Sequence, residues 1–313
     1  MTQRGVALWF LVSFVSFVSI VVSASSAVQQ VPVFRGGVDL VSLGVTVTDD
    51  KGRLVTDLTA EDFDVAEDGK KQSITDFAAG RGQPGRSPAL HLGLLLDVSE
   101  SMGEGIDFTK TAAIRFLNAF REAVDITVVD FDTDVRVARY SQREFARVVE
   151  RIRQQKARGW TALYDAIAVY VDGAAGQDGR KIMLLYTDGG DTTSAIRYRE
   201  LLDLLKASDV TVYVIGRFER QTPSGPNQQR LTLQEMSDIT GGQAFFPTSV
   251  RDLGAAYDTV LAQIDAQYLL GYQSTNTRTD GAWRKVEINV VKRGGGNYRL
   301  RSRKGYFAPY KKP

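Results

Sequence analysis

Beyond position 30, the order of apolar and polar residues divides the chain into three stretches with different periodicities. Positions 38 to 77 alternate apolar and polar residues in short runs, which is typical of strands with one buried face. From position 90 to about 267, continuous apolar runs alternate with runs that repeat apolar residues at helical spacing. After position 267 the short alternating runs return. The pattern therefore predicts a small β unit, a long α/β domain and a second set of strands.

The first stretch, residues 31–80, predicts two β-hairpins. In the first hairpin, a strand over 38–48 runs into a polar turn at 49–52 and returns at 54–55. Residues 58–63 predict a short, capped turn of helix. The second hairpin pairs residues 64–67 with residues 73–77 around the turn formed by Asp68 and Gly69. Residues 81–89, rich in Gly, Arg and Pro, are predicted to be a linker.

The central stretch, residues 90–267, predicts an α/β fold with a doubly wound, mostly parallel sheet and helices on both faces. The predicted strands cover 91–96, 126–131, 182–186, 210–215 and 243–246, and the predicted helices cover 108–120, 144–152, 163–171, 198–205, 231–240 and 253–266. An antiparallel strand at 135–137 would form one edge of this Rossmann-like sheet.

Residues 268–313 predict three more strands, at 268–272, 283–291 and 298–303. Neither end of the chain has enough strands for a stable sheet structure of its own. We therefore expect the amino-terminal and carboxy-terminal strands to form one small β-sandwich, with the α/β domain inserted between them.

The amino terminus has the pattern of a secretory signal peptide. Arg4 precedes an apolar stretch over 6–22, and small residues suitable for cleavage follow, so that cleavage is expected after residue 24 or 27. A retained membrane anchor is the alternative, because about 20 apolar residues suffice to span a bilayer. The chain has no cysteine, so an exported form would be stabilised without disulfides. We expect a secreted or periplasmic bacterial protein that contacts a membrane only if this segment is retained.

The charge of the chain narrows the classes of partner. There are 39 Lys and Arg residues against 37 Asp and Glu residues, which leaves a formal net charge of +2. That excess of positive charge is too small for non-specific electrostatic binding to nucleic acid or to an anionic membrane. No nucleic-acid partner is expected, and the sequence does not indicate an oligomeric state.

Three loops that follow elements of the predicted sheet are rich in oxygen ligands. Ligands of a doubly wound sheet bind at the carboxyl ends of its strands. The first loop carries Asp97, Ser99 and Ser101, the second carries Thr161, and the third carries Asp188. Residues two apart in an extended segment lie on one side, so the three residues of the first loop can converge on one cation. Carboxylates and hydroxyls without His or Cys suit Mg²⁺, Mn²⁺ or Ca²⁺ rather than zinc or copper.

In their order and placement, these five residues resemble the metal-ion-dependent adhesion site (MIDAS) of von Willebrand factor A domains. The resemblance covers about residues 90 to 267, with Asp97, Ser99 and Ser101 in the first ligand loop, Thr161 in the second and Asp188 in the third. It implies a binding module without catalytic residues, in which Mg²⁺ is bound directly or through water and a partner protein supplies an acidic side chain. The flanks, including residues 45–49, 58–63 and 268–272, resemble secreted bacterial proteins related to von Willebrand factor A and best known from acidobacteria.

Two other functions for the same loops stay open. A metal-dependent hydrolase could use the same oxygen ligands, and a structural subunit of an envelope assembly could have the site occupied within the assembly. Against hydroxyl nucleophiles, the sole histidine, His91, opens a predicted buried strand, so Ser99 and Ser101 lack an evident general base. No enzyme activity is therefore expected.

Several polar residues are predicted to have structural roles. Asp191 is expected to cap a helix or support the site rather than bind metal. Asp130, Asp132 and Asp134 resemble a calcium-binding run, but the glycine and distal glutamate of such a loop are missing, so an edge hairpin with its turn at 132–134 is predicted. The glycines at 294–296 are predicted to form a hairpin turn. The basic residues near the carboxyl end are predicted to form the solvent face of a strand; they are Arg299, Arg301, Arg303, Lys304, Lys311 and Lys312.

Overall fold

The structure is a computed structural model that describes residues 40–80, 88–120, 123–217, 225–291 and 297–311. The predicted signal peptide, most of the predicted linker and the predicted glycine turn at 294–296 lie outside the described residues. No helix among the residues in these ranges is long and apolar enough to cross a membrane.

The described strands and helices alternate along the middle of the chain, with strands alone at both ends. The strands are β1 (Leu40–Thr48), β2 (Phe63–Glu67), β3 (Lys70–Gln72), β4 (Ile74–Ala79), β5 (Leu90–Asp97), β6 (Asp125–Phe131), β7 (Val135–Ser141), β8 (Arg180–Thr187), β9 (Val210–Gly216), β10 (Gln243–Phe245), β11 (Tyr268–Gln273), β12 (Trp283–Val290), β13 (Arg299–Arg301) and β14 (Gly305–Phe307). The helices are α1 (Ile106–Ala119), α2 (Phe145–Gln154), α3 (Leu163–Ala174), α4 (Tyr198–Ala207), α5 (Gly225–Ile239) and α6 (Val250–Ala266).

The central sheet has six strands in the order β10-β9-β8-β5-β6-β7. All neighbouring pairs are parallel except β6 and β7, which form an antiparallel hairpin at one edge, as predicted. One apolar core joins the sheet to α1, α2 and α6, and a second joins it to α3, α4 and α5. Because both faces are covered, all eight residues of β5 are buried, which explains its nearly continuous apolar run. The predicted doubly wound α/β fold is confirmed.

The two ends of the chain contribute strands to two antiparallel sheets. Their strand orders are β13-β1-β11-β4 and β14-β12-β2-β3, so each sheet combines strands from before and after the α/β domain. Side chains from both sheets form one apolar core. Within it the ring of Tyr268 meets the ring of Phe63 edge-on at 5.3 Å and stacks with the ring of Phe77 at 5.9 Å. Aromatic contacts therefore connect strands that are about 200 residues apart in the sequence.

The predicted hairpins of the amino-terminal unit were partly wrong. The return strand at 54–55 is only a bridge between Thr48 and Leu54. In the second hairpin, β2 pairs with β3 and not with residues 73–77. Asp68 and Gly69 have φ angles of 48° and 78°, which is the two-residue turn that pairs the residues directly flanking it. Residues 74–79 form β4 and cross to the other sheet, where they pair with β11.

The carboxy-terminal strand predicted at 298–303 is shorter, since β13 covers only Arg299–Arg301. β14 (Gly305–Phe307) is a further strand that was not predicted, and it lies in the other sheet. The prediction that its arginines face solvent was wrong for Arg303, whereas the Arg301 side chain is 41% exposed and also has a partner in the α/β domain. Arg301 Nη1 donates to Asp238 Oδ1 at 3.1 Å, and Arg303 Nη2 donates to Ser42 O at 2.7 Å. Burial lowers the pKa of the Arg303 guanidinium. These arginines lie where the sandwich meets the α/β domain, which an alternating sequence pattern does not reveal.

The sandwich meets the α/β domain at the amino ends of the parallel strands. Arg303, between β13 and β14, donates through Nη1 to Ser208 O, just before β9, at 3.5 Å. Arg301 Nη1 also donates to Gly242 O, just before β10, at 3.2 Å. The carboxyl ends of the same strands point to the opposite side of the domain, where the candidate site lies.

Candidate metal centre

The first ligand loop begins at the end of β5, where Asp97 is fully buried. Its Oδ1 accepts a hydrogen bond from Ser99 N at 3.0 Å and a second from Ser99 Oγ. Ser99 Oγ in turn lies 3.1 Å from Ser101 Oγ. The three predicted ligands of this loop therefore form a continuous polar row from the buried strand end to the surface.

Asp97 also connects this loop to the end of β8. Thr187 Oγ1 donates to Asp97 Oδ2 at 2.7 Å and accepts from Gly189 N at 3.0 Å. Thr187 was not predicted to be part of the site, although it is a hydroxyl residue directly after the apolar run 182–186, in the position where ligands of such a sheet are expected. Its bond brings the first and third loops together.

The second loop, which carries Thr161, is fastened to the turn between β6 and β7. Trp160 N donates to Thr133 Oγ1 at 2.9 Å, and Ala162 N donates to Asp132 O at 2.8 Å. Gly159 has φ +69°, and a Cβ there would lie 2.7 Å from Thr133 Oγ1. Only glycine fits this path without strain.

Further hydrogen bonds fasten the second loop to the other two loops. Glu100 N, in the first loop, donates to Gly159 O at 3.1 Å. Thr161 N donates to Thr192 Oγ1, after the third loop, at 2.8 Å. Thr192 N donates a hydrogen bond to Thr161 O at 2.9 Å. The backbone around Thr161 is thus held from three directions.

The third loop carries Asp188 directly after β8. Asp188 Oδ1 accepts from Gly190 N at 2.9 Å, which folds the loop back on itself. Asp191 points elsewhere, because its Oδ1 accepts from Tyr164 N, at the start of α3, at 3.2 Å and from Ser194 Oγ. Asp191 therefore supports the first turn of a helix, as predicted.

The three loops enclose a cleft of about 370 Å³. Three of the five predicted ligands, Ser101, Thr161 and Asp188, line it, whereas Asp97 and Ser99 do not. The remaining lining residues are Glu100, Gly159, Trp160, Gly190, Thr192 and Gln229. Gln229 comes from α5, far from the three loops in sequence, so no local pattern could have identified it.

Asp97 and Asp188 form no ion pair with any residue that the structure describes. Burial raises the pKa of Asp97 to about 7; hydrogen bonds from Ser99 and Thr187 oppose the rise, and the charge of Asp188 adds to it. Ionised carboxylates buried without a counter-charge are costly, so this pair favours binding of a cation.

The donor set fits a hard divalent ion. Within the described ranges, no group of three or more His, Cys, Asp or Glu side chains could hold a metal, so a site here depends on hydroxyls as well as carboxylates. Two carboxylates balance the charge of one divalent ion, and hydroxyl oxygens are ligands that Mg²⁺ and Ca²⁺ accept. Thr161 Oγ1 and Asp188 Oδ2 have no hydrogen-bond partner among the described residues, which leaves both oxygens available.

Arginine side chains form ion pairs with two of the three carboxylates in the acidic run at 130–134. Arg136 Nε donates to Asp130 Oδ2 at 2.7 Å, and the Asp132 carboxylate accepts from Arg136 at 3.0 Å and from Arg158 at 2.9 Å. Burial alone would raise the pKa of Asp132, but hydrogen bonds from Arg136, the Asp134 amide and Arg158 outweigh it and lower the pKa to about 2. The predicted hairpin is confirmed, and these carboxylates brace the Thr161 loop through Arg158.

Comparisons with known proteins concern the family and the fold of the chain. The model of the von Willebrand factor type A domain family matches residues 91–259, more than half of the chain. The chain is similar in structure to a von Willebrand factor type A protein from Catenulispora acidiphila, with 13% identity, a TM-score of 0.49, and coverage of 88% of this chain and 75% of that chain. No curated protein matches the sequence significantly.

Two pilus proteins are also similar in structure. The vWF domain of the type V pili tip protein Mfa5 from Porphyromonas gingivalis has 12% identity and a TM-score of 0.48, with coverage of 57% of this chain and 95% of that chain. The pilus adhesin SpaC from Lactobacillus rhamnosus GG, in its open conformation, has 10% identity and a TM-score of 0.48, with coverage of 79% of this chain and 48% of that chain.

Proposed function

Because this chain belongs to the von Willebrand factor type A domain family, we propose that it is an exported binding module that holds a partner protein through a divalent metal. The metal is Mg²⁺, with Mn²⁺ or Ca²⁺ as substitutes, and its ligands are Asp97, Ser99, Ser101, Thr161 and Asp188. The proposal rests on the meeting of three loops around one cleft, two of them after strands β5 and β8 and one between α2 and α3, each contributing carboxylate or hydroxyl oxygens.

The residues divide into two groups by position. Ser101, Thr161 and Asp188 line the cleft and would contact the ion or its water. Asp97 and Ser99 lie beneath the cleft, at the inner end of the polar row that ends at Ser101, and would bind the ion through water. Asp97 also balances the charge of the ion, since it has no cationic partner among the described residues.

The proposed partner group is an acidic side chain. A divalent ion bound by two carboxylates and neutral hydroxyls retains affinity for a further anionic oxygen. Every charged residue that lines the cleft, Glu100 and Asp188, is acidic. The cleft would therefore repel an acidic partner without the ion and attract it with the ion, which makes binding metal-dependent.

Binding is favoured over catalysis by the position of the only histidine. His91 lies at the amino end of β5, where Nδ1 is 3.1 Å from Asp125 Oδ2 and Nε2 is 3.0 Å from Asp178 O. Asp97, at the other end of the same strand, marks the site. No imidazole is thus available to activate Ser99 or Ser101 as a nucleophile.

Export is proposed on sequence grounds. The apolar stretch at 6–22 and the small residues after it fit a signal peptide, and the absence of cysteine leaves the fold independent of the redox state outside the cell. Detection of the mature chain in a culture supernatant or periplasmic fraction, with its amino terminus read by mass spectrometry, tests this part.

Calorimetric titration with Mg²⁺ tests the metal site. The wild-type chain is expected to bind one ion, and Asp188→Asn and Asp97→Ala are expected to abolish binding while circular dichroism shows that the fold persists. Glu100→Gln is the matched control, because it removes a negative charge from the same cleft without removing a proposed ligand. Unchanged affinity in Asp97→Ala, or an equal loss in Glu100→Gln, would show that these residues do not coordinate the ion as proposed.

A further inference from the structure

We propose that Trp160 determines the specificity of the same cleft, so that the partner presents an aliphatic or aromatic side chain beside its acidic side chain. This inference rests on the proposed function and concerns its partner. The Trp160 side chain is 68% exposed, yet it lines the cleft together with Ser101, Thr161 and Asp188. A large apolar surface therefore lies directly beside the proposed ion.

The backbone that carries the indole is held rigidly. Trp160 N donates to Thr133 Oγ1 at 2.9 Å, and the next amide, that of Thr161, donates to Thr192 Oγ1 at 2.8 Å. On the other side, Gly159 has the left-handed φ of +69° and lies against Thr133. Such a backbone loses little conformational freedom when a partner covers the side chain, which favours affinity.

The indole of Trp160 is largely exposed and lacks ring contacts with the part of the chain that the structure describes. Trp160 has no aromatic or cationic ring contact with any described residue, whereas Trp283 packs edge-on against Phe307 at 5.0 Å. Single exposed apolar residues are common and need no explanation by themselves. Trp160 differs because its position is fixed and because it shares a concave site with the proposed metal ligands. Tryptophan in such a position is typical of residues that dominate an interface.

The other cleft residues limit the chemistry of the partner. Besides Trp160, the lining consists of glycines, hydroxyl residues, Gln229 and the acidic residues Glu100 and Asp188. Trp160 is thus the only large apolar side chain among these lining residues. Glu100 is exposed and would repel a second negative charge near the bound one. A single acidic residue with an apolar neighbour fits the cleft, whereas a run of acidic residues does not.

An array of short immobilised peptides tests the inference. Each peptide carries one central Asp or Glu, and the neighbouring positions are varied through Phe, Leu, Ser, Lys and Glu. The purified chain is applied with Mg²⁺ and with chelator, and polygalacturonate is applied separately as a carboxylated polysaccharide. With Mg²⁺, we expect the strongest binding where Phe or Leu adjoins the acidic residue and the weakest where Glu adjoins it.

Variants assign the preference to the indole. Trp160→Ala is expected to weaken binding of the Phe and Leu peptides at least about tenfold, which is about 1.4 kcal/mol, while its affinity for Mg²⁺ in calorimetry stays unchanged. Trp160→Phe is expected to keep most of the preference. Trp283→Phe, which changes a tryptophan of the sandwich, is the control and is expected to behave as wild type.

The outcomes separate this inference from the proposed function. Metal-dependent binding of acidic peptides regardless of their neighbours, equal in wild type and Trp160→Ala, would overturn the inference and leave the proposed function standing. Metal-dependent binding of polygalacturonate but of no peptide would overturn it in favour of a polysaccharide partner. Failure of the proposed function is seen independently, as absence of Mg²⁺ binding in calorimetry.

Discussion

Replacing Asp132 by asparagine removes a buried negative charge that braces the second ligand loop. The Asp132 side chain is 4% exposed and accepts hydrogen bonds from Arg136, Arg158 and the Asp134 amide at 2.9 to 3.0 Å. Asparagine keeps the shape but loses the charge and places an amide NH₂ group against a guanidinium. The variant is therefore expected to be less stable than the wild type.

The pKa of Asp132 sets the magnitude and the pH dependence of this loss. The pKa is lowered from an ordinary value of 3.8 to about 2, a difference that corresponds to about 2 kcal/mol of stability. A lowered carboxyl pKa means that the folded state binds its proton more weakly than the unfolded state. The contribution is therefore complete above about pH 4 and is lost as the pH falls towards 2. The stability gap between wild type and Asp132→Asn should be about 2 kcal/mol at pH 7 and close between pH 4 and pH 2.

Urea denaturation followed by fluorescence at several pH values measures this gap. Asp134→Asn is the control, because the Asp134 side chain is exposed in the same turn and its change should have little effect. The affinity for Mg²⁺ should fall in Asp132→Asn but not in Asp134→Asn, since the former loosens the loop that carries Thr161. A gap of the same size at pH 2.5 and pH 7, or an equal loss in the control, would refute the role assigned to the Asp132 ion pairs.

Three further variants probe other parts of the structure. Asp97→Asn should raise the melting temperature of the chelator-treated chain at pH 8, by about 2 to 4 °C for each kcal/mol gained, because it removes a buried charge that no cation of the described ranges neutralises. Calorimetric scanning that shows a lower melting temperature would contradict this. Gly159→Ala should lower the free energy of unfolding in urea by about 1 to 3 kcal/mol and weaken Mg²⁺ binding. Alanine is strained at φ +69°, and its Cβ would lie 2.7 Å from Thr133 Oγ1. Unchanged stability and affinity would mean that the loop relaxes freely. Glu67→Gln should cost about 1 to 3 kcal/mol in the same assay, because the Glu67 carboxylate accepts hydrogen bonds from three hydroxyls of the sandwich; full stability would mean that those hydroxyls find other acceptors.

The α/β domain was predictable because its strands are buried on both faces. Continuous apolar runs such as β5, separated by helical spacing, leave few alternatives to a parallel sheet. The edge hairpin at 132–134 was predictable because the missing glycine and glutamate excluded a calcium loop. Each of these predictions rests on a pattern that is local in the sequence.

The errors in the sandwich come from turn geometry and long-range pairing. A tight turn at Asp68 and Gly69 pairs the nearest residues, so the partner of β2 is three residues long and the chain then changes sheets. Arg303 was expected to face solvent because alternating polar and apolar residues show which side chains share a face of a strand. They do not show whether another part of the chain covers that face. Its contact with Ser42 O joins residues 261 positions apart, which no local pattern contains.

For the candidate site, the sequence predicted residues whose loops meet in the structure, but it did not predict how deeply each residue lies. The five predicted ligands lie in three loops that meet, yet Asp97 and Ser99 lie beneath the cleft that the other three line. Thr187 and Gln229 were missed, the first despite a local signal and the second without one. The signal peptide and the resemblance of the flanks to secreted bacterial proteins stay predictions.

Anomalous diffraction from crystals of this chain grown with Mn²⁺ tests the metal site most directly. We predict one strong manganese peak in the cleft, within coordination distance or one water of Ser101 Oγ, Thr161 Oγ1 and the Asp188 carboxylate, and no such peak in crystals of Asp188→Asn. A manganese peak bound elsewhere, or a cleft without one at saturating Mn²⁺ while the three loops keep their arrangement, would contradict it.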